Sequence, residues 1–313
     1  MATDNRDSER FDAIIIGSGF GGSVCAARLA AAGLDVVVLE RGAPHPPGSF
    51  ARTPREMRTN FWDPDAGLHG LFEVWSFAEV NAIVSSGLGG GSLIYANVML
   101  PKPPHTFQET TADGTVVPWP VDLADLEPHY DAVRAVLRPE PLPDGEPYAS
   151  IPKTREFARA AAAAGFAVER PPLAIRFAVN GAAAEPGREL PPDENLHHRP
   201  RLTCRLLGEC DIGCNEGSKS SLDLTYLSQA KRDGARIRTL CEAVGIEPAP
   251  EDRWTVRYVQ HVGARAGHRE DLLDPSLEVD RTISAKVVVL AGGTFGSTRL
   301  LLGRRAALPD LSP

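Results

Sequence analysis

Two glycine clusters stand apart from the rest of the chain, and both strip side chains from places where a ligand would need to touch main chain. The first is Gly17-Ser18-Gly19-Phe20-Gly21-Gly22, spaced as G-x-G-x-x-G. In such a run Gly17 permits a tight turn, Gly19 lets a pyrophosphate reach the backbone, and Gly22 lets a helix lie close to a strand. A helix opening there offers unpaired N–H groups and a partial positive charge to phosphate. Glu40 follows 18 residues after Gly22. A carboxylate at that distance accepts hydrogen bonds from ribose hydroxyls and repels a 2′-phosphate. These residues point to an adenine dinucleotide with a free ribose.

The second cluster is Gly87, Gly89, Gly90 and Gly91, inside "VSSGLGGGSLIYANVML", and the small or polar Ser92, Ala96 and Asn97 come after it. The first motif does not separate NAD from FAD. A flavin ring is large and flat and is gripped mainly by main-chain groups, which suits a bare second segment. The alternative is an ordinary glycine-rich turn.

The elements around these clusters read as α/β. Residues 13–16 form a short β-branched run, as expected of a strand covered on both faces. Residues 20–32 read as an alanine-rich helix closed by Gly33, and Val36–Leu39 as a second buried strand. That is a βαβ unit. Residues 43–64, rich in proline, read as a surface loop or a lid. Further helices are expected over Leu123–Leu137, 156–164 and 224–232, with a long polar loop at 180–200. Strands are expected at 236–240, 254–260, 277–283 and 286–290, the last turning into a helix through "AGGTFGSTRLLLG". The N-terminal unit and the Val287 strand belong to one parallel sheet.

Composition sets outer limits. A hydrophobic share of 42% and a charged share of 24% are those of a soluble globular protein. The net charge of −8 argues against nucleic-acid or anionic-membrane partners, which reward clustered Lys and Arg. No window reaches the roughly 18 apolar residues of a spanning helix, and "MATDNRDSER" has no secretory apolar core. Five cysteines are too few and too scattered for a disulfide framework, so the expected address is a reducing cytoplasm.

Four stretches, in order, carry a resemblance: "GSGFGGSVCAARLAAAGLDVVVLERG", "SSGLGGGSLIYANVML", "CDIGCNEGSKSSLDLTYL" and "VVVLAGGTFGSTRLLL". Together they resemble the glucose–methanol–choline (GMC) flavoprotein oxidoreductases, most of all the cholesterol-oxidase-like branch. The resemblance implies FAD, held in a Rossmann-like domain with a parallel sheet and an inserted substrate domain. Gly17, Ser18, Gly19, Phe20, Gly21 and Gly22 match the pyrophosphate loop, and Glu40 with Arg41 matches the ribose end. Gly91, Ser92, Tyr95, Ala96, Asn97 and Val98 match the segment along the isoalloxazine, although relatives can have Asn where Tyr95 stands. Val244 matches the residue whose backbone meets the adenine, and Gly292 and Gly293 match the turn beneath the cofactor.

The resemblance further implies oxidation of an alcohol, with a sterol 3-hydroxyl favoured, and electrons passed to oxygen or another acceptor. It divides the chain into an FAD-binding part, residues 1–100 and 201–313, and the start of a substrate-covering part, residues 101–200. The family's catalytic His and Asn lie in a C-terminal portion with no match here. The chain therefore reads as an N-terminal portion with no catalytic residue of its own, weak or inactive alone unless a second polypeptide completes it. A non-catalytic FAD-binding remnant is the alternative. None of the eight histidines matches a family catalytic position. Cys204, Cys210 and Cys214 raise a metal or iron–sulfur reading, but three thiols fall short of the usual four ligands, and reduced structural cysteines are preferred. A NAD-dependent dehydrogenase explains the first βαβ unit and leaves Gly87–Gly91 without a purpose.

Overall fold

The structure, a computed structural model, describes residues 9–192, 194–261 and 278–308. Its central sheet has six strands: β1 (Glu9–Ile16), β2 (Val36–Leu39), β3 (Arg236–Arg238), β4 (Cys241–Ala249), β5 (Arg253–His261) and β6 (Glu278–Leu290). Their order across the sheet is β3-β2-β1-β6-β5-β4. The first four of these are parallel, and β6, β5 and β4 form an antiparallel meander at one edge.

Five helices are used below: α1 (Phe20–Ala31), α2 (Leu123–Leu137), α3 (Pro152–Ala163), α4 (Tyr226–Arg232) and α5 (Gly293–Leu302). On one face of the sheet Ala13, Ile15, Val36 and Val38 pack against Ala26, Ala27 and Ala30 of α1 and Tyr226 and Ala230 of α4. The small alanines let α1 settle close to the strands. On the other face Ile14, Ile16, Val37 and Leu39 meet Val256, Tyr258 and Ile283. Both faces of β1 and β2 are thus covered, as their unbroken apolar runs require. Each fully buried aliphatic side chain contributes about 1.5–3 kcal/mol, so the centre of the sheet is the firmest ground for a site at its carboxyl end.

The expected βαβ unit is present, and α2 spans its expected residues. Several expectations need correction. The two strands expected at 277–283 and 286–290 are one, because Ser284 and Ala285 stay in the ladder opposite Arg10 and Phe11. Leu277 lies outside the described residues. Val287, inside an apolar run that suits a strand covered on both faces, is instead 52% exposed. The edge strand β4 was not anticipated; Gly245 and Pro248 hide its pattern, and its register slips between Ala243 and Gly245. Helix α3 begins earlier than expected, with a proline at its first position, where no N–H is missed.

Two antiparallel strands, Phe72–Ser76 and Asn81–Ser85, form a hairpin that sequence reading overlooked. The irregular 43–64 stretch holds a short helical turn, Pro54–Met57, fixed by a capping box between Thr53 and Glu56, the two-residue strand Trp62–Asp63, and the first residue of a 3-10 turn at Pro64. Between residues 101 and 200 packing is thin. Leu137 is the one buried residue of α2, and α3 buries none.

Candidate functional site

Two turns at the carboxyl ends of parallel strands and the glycine segment that follows the hairpin meet at one cleft of about 1060 Å³. The first follows β1. Gly17 has φ +97°, and a Cβ there would lie 2.4 Å from the Ala291 carbonyl oxygen. A Cβ on Gly22 would lie 2.0 Å from the Gly17 carbonyl oxygen. Both glycines are therefore demanded by the fold itself. Gly19 and Gly21 instead face open space. Helix α1 starts at this point with no side-chain cap and no acidic residue in its first turn. Its free amides are left to an outside acceptor.

The second cluster arrives from far along the chain and touches the first. A Cβ on Gly90 would sit 2.7 Å from the Gly19 Cα. The Gly89 N–H donates to Ser18 Oγ at 2.9 Å, and Ser18 Oγ–H donates to Glu40 Oε2 at 2.6 Å. One serine hydroxyl thus ties the two glycine segments to the carboxylate that ends β2. Phe20 and Tyr95 meet edge to face at 5.4 Å between ring centres.

The other turn follows β6. Gly292 caps α5 without any side-chain cap, and Gly293 has φ +74°. A second helix N-terminus therefore opens beside the first. Val244 sits where the β4 register slips, outside the ladder, and its carbonyl accepts from Arg304 Nη2 at 3.1 Å.

Of the residues expected to hold a cofactor, Gly17, Ser18, Gly19, Phe20, Gly21, Glu40, Arg41, Gly91, Tyr95, Val244, Gly292 and Gly293 line the cleft. Gly22 lies beneath it. Four are not on its wall. Ser92 is buried, donating to Gly89 O at 2.8 Å and accepting from the Leu222 N–H at 3.0 Å, so it braces the segment from behind. Asn97 is buried in a left-handed turn, φ +66°, while Ala96 and Val98 face outward.

Glu40 does more than the sequence suggested. Oε2 accepts from the Ser18 N–H at 3.0 Å as well as from its hydroxyl, and Oε1 accepts from the Gly42 N–H at 2.8 Å. Burial pushes the carboxyl above its usual range, against the pull of the Ser18 and Gly42 hydrogen bonds. A carboxylate oxygen takes two donors, so Oε1, with the Gly42 N–H, has capacity for one more in a residue that lines the cleft. Arg41 turns away to pair with Glu73 and lies over the Trp62 ring at 5.4 Å. Burial pushes the Tyr95 phenol up to about 12, so it stays protonated; its oxygen is buried without a hydrogen-bond partner.

No described histidine lines the cleft, and His268 lies outside the described residues. Cys204, Cys210 and Cys214 are free thiols, and burial pushes Cys204 up to about 11. Among the described residues no group of three or more His, Cys, Asp or Glu side chains is arranged to hold a metal.

Sequence reading missed the aromatic flank. Trp75 of the hairpin stacks on Phe295 of α5 at 5.3 Å, and Arg299 lies over the same indole at 5.8 Å. The aromatic and β-branched residues of "FEVWS" and "NAIVS" were the available signal for those strands.

Comparison with known proteins agrees with this geometry. Residues 15–84 match the NAD(P)-binding Rossmann-like domain. The chain is 32% identical over 309 residues to the cholesterol oxidase of Mycobacterium tuberculosis, covering 96% of this chain and 50% of that protein. It is 32% identical over 253 residues to the cholesterol oxidase of Acinetobacter baumannii, covering 79% of this chain and 43% of that protein. Among solved structures, formate oxidase of Aspergillus oryzae superposes with a TM-score of 0.52 at 16% identity, covering 96% of this chain and 48% of the other, which speaks to fold alone. The chain spans about half the length of the curated relatives it matches. Along nearly its whole length, the chain is homologous to the cholesterol-oxidase-like branch of the GMC oxidoreductases.

Proposed function

We propose that the cleft binds FAD and that the chain serves FAD-dependent oxidation of an alcohol, with a sterol-type 3-hydroxyl as the favoured substrate. The observation that carries this reading is the contact between the two glycine clusters, Gly90 against Gly19. It supports a single elongated ligand lying across both. The residues fit FAD: the unblocked amides of α1 face the pyrophosphate, and the spare acceptor capacity of Glu40 takes a ribose hydroxyl. The main chain at Val244 meets the adenine. Gly91 and Tyr95, the wall residues of the second segment, would meet the isoalloxazine, with Gly292 and Gly293 on the opposite turn.

When bound, FAD supplies the two-electron acceptor for a hydride from the alcohol carbon. The chain's own residues bind and orient. Phe20 and Tyr95 wall one side, and Trp75, held by stacking on Phe295, lines another. Oxidation also needs a base for the hydroxyl proton. With no histidine on the described wall, that base is assigned to a further polypeptide segment, and oxygen or another acceptor takes the electrons. The same reading makes residues 1–100 and 201–313 the FAD-binding part and 101–200 the start of a substrate cover. Its proposed address is the cytoplasm; no described helix is long and apolar enough to cross a membrane.

A second reading, half of a split enzyme completed by another polypeptide, is favoured by bare apolar surface. Val74 and Ile83 are direct cross-strand partners on the hairpin, 50% and 64% exposed, and Val287 is bare as well. The test is reconstitution of the purified chain with FAD, followed by a sterol turnover assay with peroxide detection. Yellow protein with little turnover is expected. Folded protein that refuses FAD overturns the cofactor reading, and strong turnover by this chain alone overturns the need for another segment.

A further inference from the structure

Lys219 is 1% exposed and sits behind the second glycine cluster. Its Nζ donates to the carbonyl oxygens of Cys210 at 2.6 Å, Leu93 at 2.8 Å and, at the limit, Tyr95 at 3.5 Å. Three acceptors around one nitrogen call for three N–H bonds, which the ammonium has; a neutral amine would turn its lone pair on one of them. Burial lowers the Lys219 pKa, and Cys210, Cys214, Asp211 and Asp223 act in the opposite direction. No described carboxylate lies at ion-pair distance, so the hydrogen bonds that hold the positive charge come from carbonyl dipoles. A buried charge so held projects its field into the nearest low-dielectric space.

That space is the cleft. The ammonium lies 5.4 Å from the centre of the Tyr95 ring, and Tyr95, Ile94 and Gly91 form the cleft wall. One layer of side chain separates the charge from the ligand's place.

We propose that Lys219 tunes the reduction potential of the flavin in this cleft, its unpaired positive charge favouring uptake of electrons. This rests on the reading of the cleft as an FAD site. A flavin that takes two electrons and one proton gains one net negative charge, and a nearby ammonium lowers the cost of that charge. Two of its three carbonyl partners belong to the segment expected along the ring, so the same lysine also fixes the shape of that wall.

The test is anaerobic titration of the FAD-loaded chain with dithionite against a dye of known potential. Lys219→Met is expected to cut the reduction equilibrium constant about tenfold, about 30 mV more negative for a two-electron couple. Lys219→Arg, which keeps the charge, is expected within about threefold of the parent. A loaded, folded Lys219→Met chain with the parental potential overturns the proposal. If that variant fails to fold, the parent supplies the test by reciprocity: reduction must raise the Lys219 pKa by about one pH unit for a tenfold coupling, read by ¹⁵N NMR of the ammonium. An unchanged pKa on reduction overturns the proposal equally. Refusal of FAD by the parent chain removes the reading of the cleft and this inference with it. FAD uptake with no electrostatic coupling removes the inference alone.

Discussion

The two glycine clusters share one cleft but are explained on different scales. In the first, Gly17 and Gly22 are required by atoms of their own turn and of the strand end beside it. In the second, Gly87 would press a Cβ on the side chains of Leu93, His45 and Leu71, and Gly90 on Gly19, about seventy residues away. The first cluster joins a local demand, Gly22 against the Gly17 carbonyl, to one distant contact at Ala291; the second rests mainly on packing against distant residues. A local motif survives changes elsewhere; a packed segment depends on everything behind it. The largest expected effect therefore lies in the first cluster. Gly22→Ala puts a methyl 2.0 Å from the Gly17 carbonyl oxygen, where only backbone can move. We expect a loss of about 3 kcal/mol in denaturant unfolding, at the upper end of overpacking costs.

Acid separates the clusters more finely. His45 lies under Gly87, and burial pulls its imidazole down to about 4, with Asp223 opposing and His197 assisting. The folded chain then holds fewer protons on this group than the unfolded chain between about pH 6.5 and 4. Stability should fall as pH falls through that window, by ~3 kcal/mol at most. Glu40, under the first cluster, has the opposite sign. Its raised pKa gives stability that is present below the unfolded value and is lost as pH rises through the folded one. Urea midpoints for the parent and His45→Gln across pH 4–7 should differ in slope on the acid side, and matching slopes would remove His45 from the account.

Ser18 joins the two clusters, so removing its hydroxyl tests the connection. Ser18→Ala leaves the Gly89 N–H without its acceptor and Glu40 without one donor. A buried orphan donor costs about 1–3 kcal/mol, and we expect a loss near 2 kcal/mol with weaker FAD retention. If stability drops while FAD affinity holds, the serine is a structural brace only.

How much of this was legible in sequence follows the same division. The βαβ unit could be read because most of its neighbours in space are neighbours in the chain, although Gly17 answers also to Ala291. Glu40 was read as a ligand-facing acid, but its bonds to Ser18 and Gly42 were not, since hydrogen-bond geometry leaves no periodic trace. The resemblance puts Ser92 along the ring, and its partner Leu222, which holds it behind the wall, comes 130 residues later. Lys219 escaped notice for a related reason. A lysine in a polar stretch reads as surface until three carbonyls are seen to converge on it. The hairpin of Phe72–Ser76 and Asn81–Ser85 carries aromatic and β-branched residues but no clean polar–apolar alternation, so its period leaves only a faint trace.

The smallest expected change in stability is the most diagnostic one. Gly91 has open space where a Cβ would point, and φ outside the left-handed region, so Gly91→Ala neither clashes nor strains the backbone. Surface-like substitutions of this kind stay within about 0.5 kcal/mol. The fold has no use for a glycine there; a ligand lying against the main chain has. Gly91→Ala should therefore melt with the parent and yet hold FAD at least tenfold more weakly, read by recovery of flavin fluorescence on dilution. Gly33→Ala is the control: it too meets open space, but at φ +81° and away from the cleft, so it should cost stability through strain and leave FAD affinity unchanged. Were Gly91→Ala to bind FAD as the parent does, the second cluster would revert to an ordinary turn packed against Gly19, and the ring would have to be sought elsewhere.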